Sequence, residues 1–184
     1  AVAHVEAGLR SKDMFMPEEI NRIVTDSITD YFFVTEQSGV DNLKHEGKHP
    51  ESIYFVGHVM IDNLFYELHK LEASSAVEPS EKYKADFGQY GVVTLHRPSN
   101  VDDREVLGRI IGALNELSQE LPLIFPVHPR TRSRIEEFKL ATNDNFILTD
   151  PMGYRCFLNL WKDATIVLTD SGGLQEETTA LSIP

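Results

Sequence analysis

The sequence predicts an α/β protein built on parallel sheets. Three observations carry this: short apolar runs that do not alternate, helical apolar periods between those runs, and polar side chains gathered where the runs end. The chain opens Ala1-Val2-Ala3-His4-Val5, with no Met, cap or turn residue, and reads as the middle of a strand. Ile20, Ile23, Val24, Ile28 and Tyr31 then follow the 3.6 period. Pro17 suits a first helical position and Glu18 and Glu19 suit the positive end of the dipole, so a helix is expected over 17–30. Further helical patterns run through Ile61, Leu64, Phe65 and Leu68, and through Leu107, Ile110, Ile111, Leu114 and Leu117. The second is expected to be entered at Asp102, with Glu105 three residues on as a capping box. The runs 31–35, 53–56, 91–95, 123–127, 146–148 and 165–169 are too short for helices and rich in β-branched and aromatic residues. They suit strands buried on both faces of a parallel sheet. Residues 72–90 hold Ala73-Ser74-Ser75-Ala76 and Pro79-Ser80 without a clear period and are expected to be a linker or a variable surface segment.

Composition narrows the functional classes. Of 184 residues, 41% are hydrophobic and 25% charged, as in globular chains rather than disordered ones. The 17 Lys and Arg against 29 Asp and Glu leave a net charge of −12, which argues against a non-specific nucleic-acid footprint or a basic membrane-binding face. An anionic ligand must therefore be held by local groups. Cys156 is the single cysteine, so no internal disulfide forms, and no apolar run approaches the roughly 20 residues of a membrane span. The expectation is a cytoplasmic protein.

The chemistry-bearing residues follow strands. Glu6 follows the opening run, His96-Arg97 follows Val93-Thr94-Leu95, His128 follows Phe125-Pro126-Val127, and Asp170-Ser171-Gly172-Gly173 follows Val167-Leu168-Thr169. Open parallel sheets bind ligands at the carboxyl edge of their strands, so these four segments mark a candidate site. Ser171-Gly172-Gly173 leaves a strand and opens a helix; it suits a phosphate cradle at a helix N-terminus, and Ser171 equally suits an ordinary N-cap. Glu177, six residues after Ser171, could accept the two hydroxyls of a ribose. Glu6 and Glu18 could meet as proton donor and acceptor if burial raises the pKa of one of them. His96 and Arg97 precede Pro98, which keeps them out of the helix and at the mouth of the sheet, and His128-Pro129-Arg130 repeats the pattern. His4, His45 and His49 give no convincing metal-ligand set.

His4-Val5-Glu6-Ala7-Gly8-Leu9-Arg10, Pro17-Glu18-Glu19-Ile20-Asn21-Arg22, Thr94-Leu95-His96-Arg97, Pro126-Val127-His128-Pro129-Arg130-Thr131 and Thr169-Asp170-Ser171-Gly172-Gly173-Leu174-Gln175-Glu176-Glu177 occur in that order. Together they resemble the non-hydrolysing UDP-N-acetylglucosamine 2-epimerases of bacteria and archaea, from the first residue to the last. The resemblance implies a glycosyltransferase-B architecture of two Rossmann-like parallel-sheet domains, interconversion of UDP-GlcNAc and UDP-ManNAc, and no cofactor. It implies Glu6 and Glu18 as members of the acid/base set and His96 as a contact to the diphosphate or leaving group. Ser171, Gly172 and Gly173 become the phosphate cradle, Glu177 the ribose clamp, and Phe157 a neighbour of the uracil. Arg97 and His128 become contacts to a second, activating UDP-GlcNAc, and the full-length parent a homodimer.

Two residues depart from the family pattern, His58 where Asn is more frequent and Ser182 where Gly is usual. The resemblance also implies a longer parent, with residues 1–56 the second part of an N-terminal domain and 57–184 most of a C-terminal nucleotide-binding domain. Both domains are then incomplete and the fragment alone is expected to be inactive. Two other functions use the same residues: a UDP-sugar transferase of the same architecture, and a binding-only fragment that holds UDP without turnover.

Overall fold

The computed structural model describes residues 1–184, which divide into two units, Ala1–Asp62 and Asn63–Pro184. The division falls six residues after the expected boundary, inside a helix that begins at Val59.

The first unit is a parallel sheet of three strands in the order β1 (Ala3–Val5), β2 (Tyr31–Val34), β3 (Ile53–Phe55). Helix α1 (Pro17–Ser27) connects β1 to β2, and α2 (Gln37–His45) with a 3-10 turn at Pro50–Ser52 connects β2 to β3. Phe32 and Val34 of β2 pack with Ala7, Val40 and Leu43 into its small core. None of these strands is buried on both faces as expected: β2 buries Phe32 and Val34 on one face while Tyr31 on the other is 46% exposed, and Val5 of β1 and Phe55 of β3 are 50% and 60% exposed. Gly8 is required by a close approach. Its φ is +80°, and a Cβ there would lie 2.3 Å from the carbonyl oxygen of Gly39 in α2.

The apolar stripe on α1 is real as a helix signal but is not the face this unit buries. Ile20, Val24 and Ile28 are exposed, while Glu19 and Asp26 are buried. The helix also ends at Ser27, three residues short of the expected end, with the backbone N–H of Ile28 bonded back to Thr25 and Asp26.

The second unit is a four-stranded parallel sheet in the order β6-β5-β4-β7, with β4 (Gly91–Thr94), β5 (Leu123–Pro126), β6 (Phe146–Thr149) and β7 (Ile166–Thr169). Helix α3 (Val59–Ala73) leads in. Helices α6 (Arg104–Leu117), α7 (Pro129–Glu137) and α8 (Tyr154–Trp161) cross between strands, and α9 (Gly172–Ala180) follows β7. Val93, Leu107, Ile111, Leu123, Phe125 and Phe146 form the centre of one core, with the Phe125 and Phe146 rings stacked at 6.2 Å.

Two local expectations are corrected. The stretch 72–90 is not all linker: α4 (Glu81–Asp86) sits inside it, held by Lys84, whose Nζ lies 2.6 Å from Asp163 Oδ2 and 3.0 Å from Asn159 Oδ1. The cap of α6 is Asp103 rather than Asp102, its carboxylate accepting from the N–H groups of Glu105 and Val106. Asp102 is used up by a preceding short helix, α5 (Pro98–Val101), whose Pro98 carbonyl accepts its N–H.

Candidate functional site

The chain order sets where the second unit can bind. From β4 it steps outward to β5 and β6, then returns to place β7 on the other side of β4. A parallel sheet whose winding reverses between two strands opens a crevice at their carboxyl ends, because the connections leave on opposite faces. Here those strands are β4 and β7, and they deliver His96-Arg97 and Asp170-Ser171-Gly172-Gly173.

Asp170 binds the two ends together. Its carboxylate is nearly buried and accepts from the N–H groups of His96 (3.1 Å) and Arg97 (2.9 Å) and from the Asn100 amide (3.0 Å). His96 Nδ1 lies 2.8 Å from it as well. Burial works to raise its pKa, but the Arg97 N–H, the Asn100 amide and the His96 N–H outweigh burial and hold the carboxyl below the usual aspartate range. A charged acceptor at Nδ1 makes that nitrogen the protonated one and turns Nε2 outward, where a ligand can use it. Thr94 and Thr169, the paired last residues of β4 and β7, share a hydroxyl contact of 2.7 Å.

Ser171 is the N-cap of α9: its Oγ accepts from the Leu174 N–H at 3.4 Å, so the ordinary reading of that hydroxyl holds. Beside it, a Cβ on Gly172 would meet nothing within 4 Å, so the start of α9 is open at that residue. Glu177 lies further along the same helix, half-buried, with Oε1 accepting from the Tyr154 hydroxyl at 2.8 Å. Burial pushes its carboxyl above the usual glutamate range, opposed by that hydrogen bond. Phe157 lines a cavity of about 170 Å³ with Thr94, Pro126, His128, Pro151 and Met152, at the carboxyl ends of β4, β5 and β6. His128 caps α7, its Nδ1 accepting from the Arg130 N–H at 3.3 Å, and Arg97 is exposed at the start of α5.

In the first unit Glu6 directly follows β1 and takes a left-handed backbone, φ +65°, which a non-glycine residue adopts at a cost of about 1 kcal/mol or more. Glu18 is exposed on the first turn of α1, and the buried carboxylate of the pair is Glu19. Glu19 accepts from the backbone N–H groups of Ser11 and Lys12, both at 2.9 Å, and the Ser11 N–H leads the groups that hold its carboxyl below the usual range despite burial. Asp26 is a second buried carboxylate, bonded to His4 Nδ1 (2.6 Å), the Gly8 N–H (3.0 Å) and Arg10 Nη2 (2.8 Å). His4 is thereby a structural hydrogen-bond partner of Asp26. A cavity of about 760 Å³ between α1 and α2 is lined by Arg10, Lys12, Glu19, His45 and Lys48 among others, and neither Glu6 nor Glu18 faces it.

The sequence places Asp170 in a site-marking segment without a role of its own, and it marks none of Asn100, Tyr154 and Asp26. Asp170 carried a local signal: an aspartate that ends a buried strand just before Ser-Gly-Gly must find donors, and the His96 loop supplies them.

These features define an α/β protein whose second unit places an aspartate-held imidazole and a glycine-opened helix N-terminus at the switch point of its sheet. Residues 1–184 match the family model of UDP-N-acetylglucosamine 2-epimerase, and the chain belongs to that family. It is 41% identical over 189 residues to a UDP-N-acetylglucosamine 2-epimerase of Methanocaldococcus jannaschii, covering all of this chain and 52% of the relative. It is 43% identical over 180 residues to a UDP-2,3-diacetamido-2,3-dideoxy-D-glucuronate 2-epimerase of Pseudomonas aeruginosa, covering 96% of this chain and 48% of that one. The crystal structure of the M. jannaschii UDP-GlcNAc 2-epimerase in complex with UDP-GlcNAc and UDP superposes with a TM-score of 0.84 at 39% identity, over all of this chain and 52% of the other. The chain thus spans about half the length of these relatives.

Proposed function

We propose that the protein carrying this chain interconverts UDP-GlcNAc and UDP-ManNAc by epimerisation at C2. The observation that carries the reading is the switch-point constellation, where His96, Asp170, Ser171, Gly172 and Gly173 meet. It is what a diphosphate leaving group needs: backbone N–H donors at a positive helix end beside a fixed imidazole. Family membership supports it independently.

The chemistry follows from the substrate. A carboxylate removes the C2 proton, the C2–H electron pair forms a C1–C2 double bond, and the C1–O bond breaks to release UDP and leave a 2-acetamidoglucal. Return of UDP to C1 with protonation of C2 on the opposite face gives the epimer. Neither step changes oxidation state overall. Glu6 and Glu18 belong to the acid/base set, His96 contacts the leaving group, Ser171, Gly172 and Gly173 hold the phosphates, Glu177 clamps the ribose and Phe157 lies against the uracil. Arg97 and His128 contact a second, activating UDP-GlcNAc. The intact enzyme is a cytoplasmic homodimer, a point that light scattering and cell fractionation test.

Solvent deuterium decides the mechanism. The intact protein in heavy water forms both epimers with deuterium at C2; interconversion without incorporation overturns elimination and re-addition. The 43% identity to the diacetamido-glucuronate 2-epimerase favours one second reading, a sugar modified at C3 and C6 with the same C2 chemistry. Turnover of that UDP-sugar in preference to UDP-GlcNAc would establish it.

A further inference from the structure

We infer that Tyr154 is a positioning residue for ribose recognition, its hydroxyl fixing the Glu177 carboxylate in the orientation that accepts the 2′- and 3′-hydroxyls of a uridine ribose. The inference rests on the reading of Glu177 as ribose clamp. Its own footing is a contact between two elements: the Tyr154 hydroxyl donates to Glu177 Oε1 at 2.8 Å across 23 residues of sequence.

The placement connects the two ends of a nucleotide. Tyr154 is the first residue of α8, directly after the Pro151-Met152-Gly153 segment, and Phe157 follows one turn on; Pro151, Met152 and Phe157 line one cavity. Glu177 belongs to α9, whose first turn carries the open space beside Gly172. The hydrogen bond therefore ties the aromatic slot on α8 to the helix that begins at the cradle.

The donor count leaves room for a ribose. An ionised carboxylate offers about four lone-pair positions. Tyr154 occupies one, on Oε1, and three remain for two ribose hydroxyls. The terminal torsion of a glutamate is broad and roughly two-fold, so an isolated Glu177 would sample many carboxylate planes. One fixed donor on one oxygen removes most of that freedom before the ligand arrives, which is how preorganisation raises affinity. A phenol suits the task. Burial, then the hydrogen bond to Glu177, keeps the Tyr154 hydroxyl protonated well above neutral pH, so it remains a donor wherever the enzyme works. The same bond opposes the upward push of burial on the Glu177 carboxyl and so favours the anion that accepts from the ribose.

The experiment titrates UDP and 2′,3′-dideoxy-UDP into the intact protein by calorimetry, for wild type, Tyr154→Phe and Glu177→Gln. Tyr154 is 39% exposed, and the Phe variant deletes only its hydroxyl. Wild type prefers UDP. Tyr154→Phe weakens UDP by about five- to tenfold, the worth of one ordinary hydrogen bond, and leaves dideoxy-UDP unchanged. Equal losses for both nucleotides would show a merely structural tyrosine, and no loss for either an idle one; each overturns the inference while leaving the clamp standing. A wild type that does not distinguish the nucleotides, or a Glu177→Gln variant that keeps the full distinction, overturns the clamp and the inference with it.

Discussion

Helix α1 of the first unit and helix α6 of the second show the same apolar period and bury opposite kinds of residue. Helix α6 buries Leu107, Ile111 and Leu114 against its sheet. Helix α1 buries Glu19 and Asp26, and leaves Ile20, Val24 and the capping Ile28 just past its end at 43%, 55% and 64% exposure. A helical period reports that a helix has an apolar stripe; it does not report what covers the stripe. The second unit is held mainly by packing, the first in large part by two desolvated carboxylates that gather backbone N–H groups, a histidine and an arginine.

The largest expected effect follows directly. Asp26→Ala leaves Arg10 and His4 facing a buried hole and strands the Gly8 N–H, a loss of about 3–5 kcal/mol by the precedent of broken buried ion pairs. The first unit, with its small core, is expected to open while the second stays folded. Amide hydrogen exchange then shows protection lost in β2 and kept in β4 and β5. Protection lost equally in both units would mean that they fold as one body and that the contrast is false.

The two units also use glycine differently. Gly8→Ala drives a Cβ to 2.3 Å from a backbone oxygen at a φ of +80°, so about 3 kcal/mol or more of stability should go from the first unit. Gly172→Ala meets nothing within 4 Å and should leave the melting temperature unchanged or slightly higher. If the first turn of α9 receives the diphosphate, that same methyl group stands where the ligand approaches, and UDP affinity should fall about tenfold or more. A Gly172→Ala protein with normal UDP affinity would remove the cradle, whatever its stability.

Most of the fold was legible. Each expected strand lies within one or two residues of its place, because a short, non-alternating apolar run has few other uses in a chain with helical periods between the runs. The motifs that end β4, β5 and β7 fall, as expected, at the carboxyl edge of one parallel sheet, whereas Glu6 ends a strand of the other sheet. What could not be read depends on partners far away in sequence. Asp170 meets His96 across 74 residues, Tyr154 meets Glu177 across 23, and Asp26 meets His4 across 22. Helix α4 was hidden because polar contacts hold it, Lys84 to Asp163 and Asn159, and polar contacts leave no apolar period. The two adjacent aspartates at 102 and 103 are equivalent as caps until the short helix at Pro98 consumes the first.

Acid should separate the units by mechanism rather than by degree. Glu19 has its folded pKa depressed, with the Ser11 N–H as the leading cause, and Asp170 is depressed by the Arg97 N–H, the Asn100 amide and the His96 N–H acting against burial. A depressed carboxyl binds its proton more weakly in the folded state. Its contribution is complete above the unfolded pKa, 4.5 for Glu19 and 3.8 for Asp170, and is lost as pH falls through the lower folded value. Glu19→Gln should flatten the acid limb of the first unit's melting curve and leave that of the second as it was. A parallel shift of both limbs would show that Glu19 is not local to its unit.

The smallest effect tests the exposed stripe itself. Val24→Lys places a charge on what the period marks as the apolar face of α1, a substitution that would be ruinous on a covered helix. At 55% exposure the new ammonium stays in water and its stem lies along the helix, so in the 184-residue chain the change in stability should stay within about 0.5 kcal/mol. The equivalent change at Ile111 in α6, which is 2% exposed, buries an unpaired charge and should unfold the second unit. The two substitutions have the same chemistry and the same helical phase, so their difference isolates coverage alone. A cost above about 1 kcal/mol for Val24→Lys that grows with protein concentration would mean that copies of the chain already bury this stripe against one another, because only an associated state loses more by the charge when more of it is present.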